Sequence, residues 1–95
     1  METELKRLCE QLRSVAGEAG LLLVTGAAPE VVAQCVQQYN EVVAQVSLRL
    51  PVLRPEVLPL DSGATAVRMA ARSLAARLEE HRRHRSKSHN PLYMF

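Results

Sequence analysis

Isoleucine and tryptophan are missing from this 95-residue chain, and phenylalanine occurs once, at its last position. A core must therefore come from Leu, Val and Ala, without the large area that buried aromatic rings supply. Glycine is also scarce, at four residues, and there are two cysteines, Cys9 and Cys35, in no C-x-x-C pair. This excludes a disulfide framework and leaves buried, reduced thiols in an intracellular, cytoplasmic or nuclear, setting as the expectation. The first residues carry Glu2, Glu4 and Glu10 where a presequence needs positive charge. The longest apolar run, "LLLV" at 21–24, is far below the roughly 18 residues a membrane span needs. No P-loop, dinucleotide fingerprint, H-E-x-x-H or Gly-x-Ser-x-Gly is found, so no enzyme and no cofactor is expected.

What the chain does have is apolar periodicity. Leu5, Leu8, Leu12, Val15, Ala19 and Leu22 step by three and four, predicting a helix over about 4–24 with Thr3 as N-cap. Gly17 and Gly20 oppose it, and an extended "GLLLV" is the alternative. Gly26 and Pro29 stop one helix and start another. The second, about 29–50, carries the strongest stripe, Val32, Val36, Tyr39, Val43, Val46 and Leu50. Its β-branched residues weaken intrinsic helicity, so it should depend on burial. Prolines 51, 55 and 59 then forbid a helix and predict an extended strap over 51–61 that is unusually apolar. A strap running back along helix two sets helix three parallel to it, and a slack loop sets it antiparallel; the sequence permits both. Asp61 and Ser62 suit the N-cap of a third helix, about 62–83, with the stripe Val67, Ala71, Leu74 and Leu78. The fold class is all-α, a three-helix bundle or a hairpin plus a third helix, in one domain with a tail over 84–95.

Charge is divided unevenly. Residues 61–95 hold Arg68, Arg72, Arg77, Arg82, Arg83, Arg85 and Lys87 against Asp61, Glu79 and Glu80, whereas the first thirty residues are acidic. Arg82, Arg83, Arg85 and Lys87 are the candidate phosphate contacts of a nucleic-acid or chromatin-associated protein, although aromatic platforms are missing among them. His81, His84 and His89 are too few and too loosely placed for a metal site, and none is expected. Ser86 and Ser88 follow Arg85 and Lys87, and phosphorylation there would cancel this charge.

The last residues carry two short patterns. Asn90-Pro91-Leu92-Tyr93 resembles the Asn-Pro-x-Tyr signal read by phosphotyrosine-binding domains and endocytic adaptors, which implies a turn presenting Tyr93. Tyr93-Met94-Phe95 resembles a PDZ ligand with apolar last and third-last residues. The reading that accommodates most features is a small non-catalytic subunit or adaptor assembling with partner helices, as a hetero- or homo-oligomer without a membrane span. Its expected contacts are Val32, Val36, Tyr39, Val43 and Val46 on helix two and Leu92, Tyr93 and Phe95 in the tail.

Overall fold

The computed structural model describes residues 2–88 and contains three α-helices: α1 (Glu2–Thr25), α2 (Pro29–Arg49) and α3 (Ala64–Ser88). "GLLLV" is helical, so α1 continues to Thr25, where Gly26 takes a left-handed φ of 67° and donates to the Leu22 carbonyl at 3.0 Å. A glycine there avoids the Cβ penalty of that conformation. Pro29 follows as the first residue of α2. Two expected caps differ. Helix α1 already includes Thr3, and α3 starts behind Gly63, because Pro59 and Ser62 close a turn that draws Asp61 and Ser62 out of the helix.

All three stripes converge on one core. Leu5, Leu8, Leu12, Val15 and Ala19 of α1 meet Val36, Tyr39, Val43 and Val46 of α2 and Val67, Ala71, Leu74 and Leu78 of α3. No polar or charged side chain is buried among the described residues. Tyr39 is the one aromatic residue in this core, so stability comes mainly from close packing of leucine, valine and alanine. Ala71 and Ala75 of α3 and Ala16 and Ala19 of α1 all belong to this core, and α1 and α3 form the most intimate pair.

Charges fix the helix directions. Glu4 of α1 accepts from Arg49 at the far end of α2 at 2.9 Å, as the short connection at 26–28 requires of an antiparallel hairpin. Arg82 near the end of α3 reaches Glu2 at 2.7 Å, and Arg68 near its start lies over Gly20. Helix α3 is therefore antiparallel to α1 and parallel to α2, the first of the two arrangements the sequence permits.

A parallel pair needs a connection that travels the length of the bundle. Pro51–Leu53 form one 3₁₀ turn, closed by Arg54 in a left-handed conformation with φ 46°. The chain then ascends without regular structure. Asn40 of α2 holds it midway: its Nδ2 donates to the Leu58 carbonyl at 2.9 Å and its Oδ1 accepts from the Leu58 N–H at 2.8 Å. An amide side chain suits this task because it alone offers a donor and an acceptor side by side. Lower down, Arg77 of α3 donates to the Leu53 carbonyl.

Candidate functional site

The α2 stripe does not face outward. Val36, Tyr39, Val43 and Val46 are all at most 3% exposed inside the chain's own core, and only Val32 at the top of the helix is partly open. These four, expected to contact a partner, lie within the chain's own core. Two neighbouring helices, not one, close over α2, so a partner would have to displace α1 or α3 to reach them. Leu92, Tyr93 and Phe95, with both short tail patterns, lie outside the described residues.

The basic run divides. Arg82, a candidate phosphate contact, is engaged within the chain, with Nε and Nη2 on Glu2 and Nη1 on Glu79 at 2.8 Å. Arg83 and His84 are exposed, His84 within 4.0 Å of Glu80. Arg85 and Lys87 belong to the final turn of α3, with side chains outside the described part.

Two surfaces remain: the apolar connection that the sequence already marks, and a seam that it does not. The first is the outer side of the connection. Leu53 and Leu58 pack against the core, whereas Val52, Val57 and Leu60 on the same segment are exposed, Val52 by 73%. Leu48, just before it on α2, is 82% exposed. Asn40 and Arg77 hold the backbone at Leu58 and Leu53, the two leucines that pack inward. The second surface is the seam between α1 and α3. Its lower half is a closed ion network: Glu79 meets Arg13 at 3.3 Å and Arg82 at 2.8 Å, beside the buried Cys9 thiol. Burial pushes the Glu79 carboxyl up, but that thiol and the two guanidinium charges outweigh it and hold the group below its ordinary value. The upper half is a groove of about 340 Å³ lined by Arg13, Ala16, Gly17, Arg68 and Arg72.

The thiols themselves are poorly placed for chemistry. Cys9 and Cys35 are free and buried, and burial pushes both above the ordinary thiol range. Such groups stay protonated and behave as small apolar residues. No family model matches this chain, and neither the curated proteins nor the solved structures contain a match to it.

Proposed function

We propose that the chain is a small non-catalytic helical subunit that docks onto partner proteins through surfaces outside its own core. The observation that carries this reading is the row of exposed apolar side chains, Leu48, Val52, Val57 and Leu60, along and just before a segment whose two other leucines, Leu53 and Leu58, are partly buried against the core. Single exposed leucines need no explanation, but a covalently continuous row held in place by two backbone clamps is a surface of the kind that partners cover. Nucleic-acid binding through the basic end is the second reading. It draws on the exposed Arg83 and is weakened by the engagement of Arg82 with two carboxylates.

The test is photo-crosslinking of the full chain in cells, with the reactive residue at Val52 or Val57 and, as control, at the exposed Gln37 of α2. A subunit is expected to give a discrete protein adduct from the connection and none from Gln37, and to fractionate well above its own 10.5 kDa. A chain that fractionates as a free monomer and forms no adduct contradicts the proposal.

A further inference from the structure

Helix α1 contains two glycines that its own fold does not need. A mid-helix glycine costs about 1 kcal/mol relative to alanine. Neither Gly17 nor Gly20 has the positive φ that would justify it, in contrast to Gly26. A Cβ on Gly17 would meet nothing within 4 Å, and one on Gly20 would touch only the flexible end of Arg68, at an ordinary 3.5 Å. A local rule broken without compensation inside the molecule points to a requirement outside it.

The surroundings say what that requirement is. Arg68 and Arg72 stand one turn apart on α3, a like-charge pair that repels across the exposed surface. No carboxylate among the described residues lies within ion-pair distance of either, while the lower half of the same seam is fully paired. Arg13 completes the groove from the α1 side. The upper seam thus combines concentrated positive charge with a strip of bare backbone, and Ala16 adds one more small side chain to its floor.

We infer that this groove seats an acidic α-helix of a partner protein, whose carboxylates, spaced three and four apart, meet Arg68 and Arg72 while its backbone approaches over Ala16 and Gly17. The inference rests on the subunit reading above and names a partner chemistry for it. Arginine forks pair with carboxylates bidentately, and small residues let helix axes come close. A second copy of the chain is the wrong occupant, because a two-fold contact would set Arg68 and Arg72 against themselves. Nucleic acid would use the arginines but would gain nothing from the absent Cβ atoms.

The probe is a stapled 20-residue helical peptide with glutamates along one face of an alanine-rich helix, titrated at low salt into the isotope-labelled full chain. Its charge-reversed lysine counterpart serves as control. Amide shifts are expected only with the acidic peptide, concentrated at residues 13–24 and 65–72. Affinity should fall at least tenfold in Gly17→Leu and in the double variant Arg68→Glu/Arg72→Glu. Gly17→Leu adds a helix-favouring side chain in open space, and a melting curve no lower than that of the parent verifies that the fold is kept. Equal binding of the lysine peptide, shifts located elsewhere, or undiminished binding by these variants overturns the inference. So does tighter binding of a random DNA duplex that is lost in the arginine variant and kept in Gly17→Leu. The subunit reading fails separately: if Gly17→Leu still crosslinks from Val52 and Val57 in cells while the peptide does not bind, only the groove is lost.

Discussion

Gly17 and Gly26 differ by one sign of φ, and their replacement by alanine is expected to act in opposite directions. Gly17→Ala fills open space in a regular helix and should stabilise by up to about 1 kcal/mol. Gly26→Ala places a Cβ in a left-handed turn and should cost about 1 kcal/mol or more. Urea unfolding of the two variants checks both signs, and a destabilised Gly17→Ala would mean that the upper seam is packed against something in the isolated chain. The carboxylates of the ion networks set the acid limit of stability. Arg7's hydrogen bond, and then the Arg49 charge, hold Glu4 below its ordinary value, and Glu79 is held down as described. A carboxyl lowered by folding contributes stability that is fully present above its unfolded value and is lost as pH falls through the folded one. The urea midpoint should therefore be flat near neutrality and decline below the ordinary glutamate range. Glu79→Gln should be less stable at pH 7 and lose less on acidification; an unchanged acid slope would remove Glu79 from the network. The buried thiols give a further readout. Cys9 and Cys35 should react with a disulfide reagent only as fast as the chain unfolds, whereas rapid labelling in buffer would place them at the surface.

Between elements, the clearest dependence is that of the connection on Asn40. Asn40→Leu leaves both polar groups of Leu58 without their protein partner, at an expected cost of about 1–3 kcal/mol in urea unfolding. Asn40→Asp keeps the acceptor for the Leu58 N–H but sets a carboxylate against its carbonyl, so it should be nearly as damaging despite its matching shape. If both variants melt with the parent, the connection is not held at this point. The helices were legible in the sequence because their stripes are periodic over several turns, and Gly26-to-Pro29 punctuation is local chemistry. The three prolines likewise excluded a helix over 51–61. Their sequence carried no sign of the 3₁₀ turn at Pro51–Leu53 or of Arg54 in a left-handed conformation, since a non-glycine residue there is imposed by the surrounding chain. The caps at Thr3, Asp61 and Ser62 were misread for a related reason: a cap residue favours a helix start, but the turn from Pro59 to Ser62 decides where it falls. The direction of α3 was open because three prolines exclude a helix over 51–61 without deciding whether the segment runs back along α2 or forms a slack loop.

For the whole molecule, periodicity showed that α2 is buried but not by what. A stripe as wide as that of Val36, Tyr39, Val43 and Val46 needs two neighbours, and both are supplied by the same chain. The two outer surfaces, by contrast, exist only through topology: Ala16 and Gly17 become a groove floor only once α3 lies antiparallel to α1 with Arg68 and Arg72 across the seam. A bundle this small has little stability in reserve, so Leu8→Ala or Leu74→Ala, at about 2–5 kcal/mol, should leave the chain largely unfolded by circular dichroism. The central claim is that one chain completes its own core and leaves the outer faces for partners. Methyl cross-relaxation in an equal mixture of labelled and unlabelled full-length chain tests it directly. Contacts from Val36, Val43 and Val46 to the leucines of α1 and α3 should arise wholly within single molecules. The same contacts appearing between labelled and unlabelled chains would contradict the account.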